Sequence, residues 1–368
     1  MEKIFFHQQN SVQSIKMNFK GSISVLFLLF AILFSGCKTR TESVFPTSVS
    51  LIGKMLSVGD SLGRGLTLEA VDDYLILAGE YEHTLFTIFK PDLSYCFRFG
   101  HEGQGPNEML GLSGVMMIRN GYLTLSDGFK LYQHRLENLY NSVDNPVAAS
   151  RSENNDAMVW VTPLTDSLFV ASGIFPNGER FKVLDGSGNV YGYMGEYPIE
   201  EKTDLPFYIV GSSFLSIMTS HPTSNRFALG TQYGGMLDIM EWNQQDSILH
   251  RVGGVCEFKP RLTSKDIMGT PNFVPDAQTR YGYLKLDSDA EYVYALYSGR
   301  FHKKGTPYFK GNSIHVFDWN GTPVCQINLD KDANDIAIAG NKLYALYEDA
   351  NIGYEIIEYV LPDNWMKE

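Results

Sequence analysis

The feature that most constrains this chain is a unit of four short strands that recurs along it and is left incomplete at the end. From Val49 onward, alternating apolar segments are broken by clusters of Gly, Asn, Asp and Pro, and none keeps helical periodicity over three turns. The turns between third and fourth strands mark the unit: Lys90-Pro91-Asp92-Leu93, Arg135 to Asn138, Asp185-Gly186-Ser187-Gly188, Asn243-Gln244-Gln245 and Trp319-Asn320-Gly321. Measured at Asp92, Glu137, Ser187, Gln244 and Asn320, the spacings are 45, 50, 57 and 76 residues. The first three fit or approach the roughly 40–50-residue period of propeller blades, and the last holds an insertion. A sixth unit, Asp335 to Ala339, Lys342 to Tyr347 and Tyr354 to Val360, lacks its fourth strand, while Val49 to Met55 alternates suitably to supply one. Joining the two ends in one sheet leaves only short, protected strand edges. The expectation is an all-β chain: a six-bladed β-propeller over residues 49–368, closed by the N-terminal strand joining the last blade. Two β-sandwiches would not leave one unit short of a strand at one end and a spare at the other.

The first forty residues read as an address. Lys16 and Lys20 precede an apolar run from Val25 to Phe34, which is shorter than the ~20 residues of a spanning helix. Ser35, Gly36 and Cys37 follow, the order of a secretory signal ending in small residues. The segment Phe34-Ser35-Gly36-Cys37 resembles the lipobox of bacterial lipoproteins, which implies acylation of the Cys37 thiol after removal of residues 1–36. Met17 is an alternative start that gives the same mature protein. Residues 37–48, polar and rich in Thr and Ser, are expected to form a flexible tether. Lys38-Thr39-Arg40 lacks the acidic cluster that similar lipoproteins use for surface export, so an outer-membrane position facing the periplasm is expected. Cys96, Cys256 and Cys325 all fall within apolar strand patterns and read as small buried hydrophobes rather than metal ligands.

Charge then excludes a partner class. With 30 basic against 42 acidic residues, a net charge of −12, the chain lacks the cationic surface that nucleic-acid binding needs.

The segment FGHEGQGPNEM, Phe99 to Met109, carries a more specific signal. It resembles the glycine-rich connection after the first blade in TolB-like six-bladed propeller lipoproteins of Bacteroidetes, where a pattern close to GxxGxGPxE recurs. Gly100, Gly103, Gly105, Pro106 and Glu108 match it. Thr279 to Arg300 is similar to that family's entry into the fifth blade. The resemblance implies a propeller body on an envelope lipoprotein, and it implies no reaction. Physically, glycine allows positive φ and Pro106 fixes its own φ, as a tight crossover between blades requires. That places Asn107 and Glu108 near the mouth of the channel.

Candidate ligand-contacting residues follow from these loops. His101, Glu102, Gln104, Asn107 and Glu108 lie in the first crossover. Arg261, Lys265, Asp266, Phe273, Arg280 and Tyr281 lie in the insertion from Phe258 to Tyr283, whose length inside a compact domain marks it as a binding-surface candidate. Arg300 ends the second family-like segment, and Gly195 to Tyr208 is a further crossover candidate. The favoured reading is a lipid-anchored binding or scaffold module for an envelope protein, peptide or glycan. The alternative is a hydrolase or lyase acting on a sugar or lactone, with a cluster drawn from His101, Glu108, Asp127 and His221 at the axis. No GxxxxGK, GxSxG or HExxH motif occurs, and no cofactor or metal is expected. DGSGN at Asp185 and DKDAND at Asp330 lack the glycine of a calcium loop and are expected to be hairpin turns.

Overall fold

The computed structural model describes residues 44–56, 64–105, 107–111, 115–127, 130–146, 148–151, 158–199, 203–349 and 353–362. Cys37, Pro106 and residues 200–202 lie outside them. The body is a ring of six sheets, antiparallel but for one parallel pair in blade 5. Blade 1 is β3 (Arg64–Val71), β4 (Tyr74–Tyr81), β5 (Thr84–Phe89) and β6 (Cys96–His101). Blade 2 is β7 (Val115–Arg119), β8 (Tyr122–Ser126), β9 (Lys130–Arg135) and β10 (Ala148–Arg151). Blade 3 is β11 (Met158–Pro163), β12 (Leu168–Gly173), β13 (Phe181–Asp185) and β14 (Val190–Met194). Blade 4 is β15 (Ser216–Ser220), β16 (Arg226–Thr231), β17 (Met236–Asn243) and β18 (Ile248–Cys256). Blade 5 is β21 (Tyr283–Ser288), β22 (Tyr292–Tyr297), β23 (Gly311–Asp318) and β24 (Pro323–Ala333). Blade 6 is β25 (Asp335–Ala339), β26 (Lys342–Asp349) and β27 (Gly353–Val360). Before blade 5, β19 (Lys265–Ile267) and β20 (Thr270–Asn272) form a separate hairpin.

The first strand of each blade packs beside the first strands of its neighbours, so β3, β7, β11, β15, β21 and β25 surround the axis. Apolar side chains fill the space between blades. Leu125 and Phe99 belong to one such layer, Val183 and Phe227 to another, Ile314 and Ile357 to a third. Central strands such as YVYALY, Tyr292 to Tyr297, are buried almost throughout because both faces of a blade meet another blade.

Closure uses the N-terminal segment twice. Lys54–Leu56 (β2) pairs antiparallel with β27 in the register Lys54 to Glu358, Met55 to Ile357 and Leu56 to Ile356, and so supplies the missing fourth strand of blade 6. Thr47–Leu51 (β1) instead pairs parallel with β24, from Thr47 opposite Cys325 to Leu51 opposite Leu329, and adds a fifth strand to blade 5. The segment from Val49 to Met55 is therefore divided between two blades. The break falls at Ile52-Gly53, where a Cβ on Gly53 would lie 2.2 Å from Ile357 Cγ2 and 2.7 Å from the Tyr359 ring. The body also includes residues before Val49: Phe45 is buried, with its ring 4.5 Å from that of His315 and 5.4 Å from that of Phe317.

Three further expectations are corrected. Arg135 to Asn138 is not a simple turn, because Arg135 ends β9 and a one-turn helix, α1 (Leu136–Tyr140), follows and buries Leu136 and Leu139. Asp330 to Asp335 is not a hairpin turn, since β24 runs to Ala333 and β25 starts at Asp335. Cys96 and Cys256 are exposed at strand ends, and of the three only Cys325 is buried; none of the three is in a disulfide. Asp185 does behave as a turn residue, its Oδ1 accepting the amides of Ser187 and Asn189.

Candidate functional site

Successive strands within a blade run in opposite directions, which gives the ring two distinct ends. One end carries the turns between first and second strands and between third and fourth strands. The other carries the turns between second and third strands, among them the long loop from Ser298 to Lys310 in blade 5, and the crossovers between blades, including the Gly-rich loop, α2 (Phe207–Ser213) and the β19–β20 hairpin. The described residues named as ligand-contacting candidates, from His101 to Glu108, from Arg261 to Tyr281 and Arg300, lie at this crossover end.

The first crossover is built around Glu108. Its Oε2 accepts the Gly105 amide at 2.7 Å, its backbone carbonyl accepts the Tyr132 hydroxyl at 2.7 Å, and Met109 is buried between blades 1 and 2. A Cβ on Gly103 would lie 2.1 Å from Glu108 Oε2. Of the motif's glycines only Gly100 has positive φ (70°); Gly103 is required instead by the close approach of that carboxylate. Glu108 thus pins its own loop. His101, Glu102, Gln104 and Asn107 are exposed around it, with His101 Nε2 3.9 Å from Asp144 Oδ2.

The residues of the insertion are also largely engaged by their neighbours. Arg280 donates through Nη1 to Glu257 at 2.8 Å and through Nε to the Gly299 carbonyl at 2.9 Å. Arg300 donates through Nη2 to Asp332 at 2.6 Å and through Nη1 to the Pro307 carbonyl at 3.0 Å. Arg261 lies 3.4 Å from Asp276, and Lys265 stands exposed on the hairpin. Tyr281 is buried as the centre of an aromatic cluster. Its ring stacks on Tyr308 (centroids 4.6 Å apart) and meets Phe309 edge-on (5.0 Å) and Tyr233 (5.2 Å), and its hydroxyl lies 3.1 Å from His302 Nδ1. Phe273 extends the cluster through Tyr233 at 5.0 Å. Beside it a groove of about 570 Å³ is bordered by Lys303, Lys304, Lys310 and Glu348, with half of Phe309 exposed. Of the residues named from the sequence, Tyr281, Arg280, Arg300 and Phe273 are brought together here. The residues from His101 to Glu108 are not, because they join blades 1 and 2 rather than 4 and 5.

The four residues considered for an axial catalytic cluster do not converge. Asp127 accepts the Lys130 amide, the Leu110 amide and the Tyr132 hydroxyl at the crossover end. His221 follows β15 at the opposite end, where its Nδ1 accepts the Thr223 and Ser224 amides.

The axis instead holds a group that no motif announced. Lys285, buried on β21, donates through Nζ to Glu69 Oε1 at 2.8 Å, Thr67 Oγ1 at 3.0 Å and the Leu68 carbonyl at 3.3 Å, and lies 3.5 Å from Asp335 Oδ1. Asp287 accepts the Ser288 amide at Oδ1 and the Ile338 amide at Oδ2, tying blade 5 to blade 6. Burial drives the Glu69 carboxyl up to about 8 against the opposing pull of Lys285, and drives Asp287 up to about 6. Asp335 is likewise raised by burial. For Lys285 burial works downward, but Asp335 and Glu69 prevail and hold its ammonium above the usual lysine range. The signal in the sequence was charge inside two apolar first strands, Glu69 in GLTLEAV and both Lys285 and Asp287 in YLKLDS.

Comparison with known proteins agrees with this architecture. A family model described as "TolB-like 6-blade propeller-like" matches residues 66–341. Among solved structures, a Bacteroides fragilis protein described as exported is similar at 12% identity over 84% of this chain and 94% of its own, with a TM-score of 0.48. A DUF4221 family member from Bacteroides vulgatus is similar at 10% identity over 85% and 96%, TM-score 0.48. A protein of unknown function from Bacteroides thetaiotaomicron is similar at 10% identity over 85% and 74%, TM-score 0.46. No curated protein matches the chain. With three quarters of its length matched by the family model and six blades closed in a ring, the chain belongs to the TolB-like six-bladed propeller family.

Proposed function

We propose that this protein is a lipid-anchored binding module of the cell envelope, acylated at Cys37, held at the outer membrane facing the periplasm, and engaging an acidic glycan or peptide at its crossover end. The observation that carries the reading is the aromatic cluster around Tyr281 beside a lysine-bordered groove. Stacked and edge-on rings offer flat apolar area for sugar or side-chain contact, and Lys303 and Lys304, both exposed, favour negative charge. The entry of the chain into the body supports this orientation. Thr47 pairs with Cys325 near the start of β24, at the turn end, so attachment there leaves the crossover end clear.

Two measurements test the proposal. Metabolic labelling with a palmitate analogue is expected to mark the protein and to fail after Cys37→Ser. A photo-crosslinking residue placed at Phe309 in cells is expected to capture a reproducible partner, while one at exposed Tyr191, at the turn end, is not. Equal capture at both positions, or none at Phe309, would refute the assigned surface.

A further inference from the structure

The channel around the axis is not filled by side chains. A cavity of about 210 Å³ is lined by the first strands of all six blades. Its lining residues fall mainly in the second halves of those strands and reach Pro222 in the turn after β15, so it lies toward the turn end, away from the aromatic cluster. Met116, Met218 and Trp160 form part of a soft, polarisable wall, with Thr219, Ser220 and Ser288 among them. Among the described residues that line it, Glu69 and Asp287 are the ionisable ones.

These two carboxyls differ in what they can offer. Both oxygens of Asp287 accept backbone amides, whereas Glu69 takes its hydrogen bond at Oε1, from Lys285, with its carboxyl on the cavity wall. One ammonium also faces three carboxyls, those of Glu69, Asp287 and Asp335. Asp335 is 5% exposed, and its Oδ1 has the Lys285 ammonium 3.5 Å away. The wall is therefore short of positive charge in a place where water is scarce, which strengthens attraction for a cation. A metal ion would need several His, Cys, Asp or Glu side chains to converge, and no group of three does so among the described residues. A tetraalkylammonium or alkylammonium group needs one carboxylate and a surround of aromatic and thioether surface, which is what the cavity presents.

We propose that the axial cavity binds a small organic cation, a primary or quaternary amine with a short apolar body, with Glu69 as its counter-ion and Trp160, Met116 and Met218 around its alkyl groups. Binding is coupled to a proton. The groups facing Glu69 are Lys285 and Asp287 from β21 and Asp335 from β25, while β7 presents Met116, Met117 and Ile118, none of which titrates. With the Glu69 carboxyl at about 8, the empty site is mostly protonated at neutral pH, and an entering cation displaces that proton to solvent.

Isothermal titration of the full-length protein in detergent with tetramethylammonium and n-butylammonium, against tert-butanol as a neutral control, tests this. One cation is expected to bind per chain, with affinity rising about tenfold from pH 7 to pH 9 and close to one proton released at pH 7, as a single carboxyl titrating near 8 requires. Glu69→Gln is expected to weaken binding at least tenfold, and Tyr191→Ala, exposed on the outer strand of blade 3, to leave it unchanged. Should Glu69→Gln not fold, proton release in two buffers of different ionisation enthalpy decides the matter on the unaltered protein. Cations binding no better than tert-butanol, or binding with no pH dependence and no proton release, would overturn the proposal.

Discussion

The two ends of the ring are built on opposite plans. At the crossover end, the residues that stand out in the sequence spend their polar groups on their own loops: Glu108 pins Gly105, Arg280 holds Glu257 and Gly299, and Arg300 holds Asp332 and Pro307. Toward the turn end, the axial cavity has no motif at all, yet it contains the buried carboxyls with the most displaced protonation. The difference teaches that a recognisable motif in a repeat fold punctuates the chain, whereas unspent chemistry shows up as a single charged letter in an apolar strand.

The sharpest way to break this contrast is to remove its central cation. Lys285→Ala leaves Glu69, Asp287 and Asp335 together without a buried counter-charge, and is expected to destabilise the propeller by about 3–5 kcal/mol in equilibrium denaturation. A loss below 1 kcal/mol would mean that the axis is wet and the charges are screened.

Protonation sharpens the contrast further. His315, buried beside Phe45 and Tyr297, is lowered by burial to about 4. Its folded value lies below its unfolded value of about 6.5, so the unfolded chain binds more protons and stability falls as pH drops from 6.5 to 4, by up to about 3 kcal/mol. Glu69 acts in the opposite sense. Its folded value lies above its unfolded value, so its contribution is present below about pH 4.5 and is lost as pH rises toward 8. His315→Gln should flatten the acid limb of a stability–pH curve and Glu69→Gln the alkaline limb; an unchanged curve in either variant would remove that group from the account.

Smaller effects are expected at the crossover end. Gly103→Ala forces Glu108 out of its seat and should cost about 1–3 kcal/mol, and Glu108→Ala about 1 kcal/mol, both read by thermal unfolding. Arg300→Ala, at a partly exposed ion pair with Asp332, should change stability by less than about 1 kcal/mol.

Much of the fold was legible because its determinants are local. Strand alternation, the turns at Asp92, Ser187 and Asn320, and the unmatched third strand at Tyr354 to Val360 each follow from nearby residues. What could not be read was how the N-terminal segment divides. Ile52-Gly53 looks like an ordinary interruption until Ile357 and Tyr359 are seen to occupy the space beside it. The helix at Leu136 to Tyr140 is too short for periodicity to reveal. At the candidate sites, Tyr281 and Arg280 stood in a loop whose length drew notice, but Tyr233, His302 and Tyr308 reach them from other segments. Glu69 and Lys285 are 216 residues apart and meet only because a ring brings its first strands together.

The carboxyl of Glu69 offers the most direct test. With glutamate labelled at the side-chain carboxyl carbon, a carbon NMR titration of the full-length protein is expected to show one resonance with a midpoint near pH 8 that disappears in Glu69→Gln. Glutamate resonances that all titrate between pH 4 and 5 would show the axis to be solvated, and the dry, charge-bearing cavity described above would not exist.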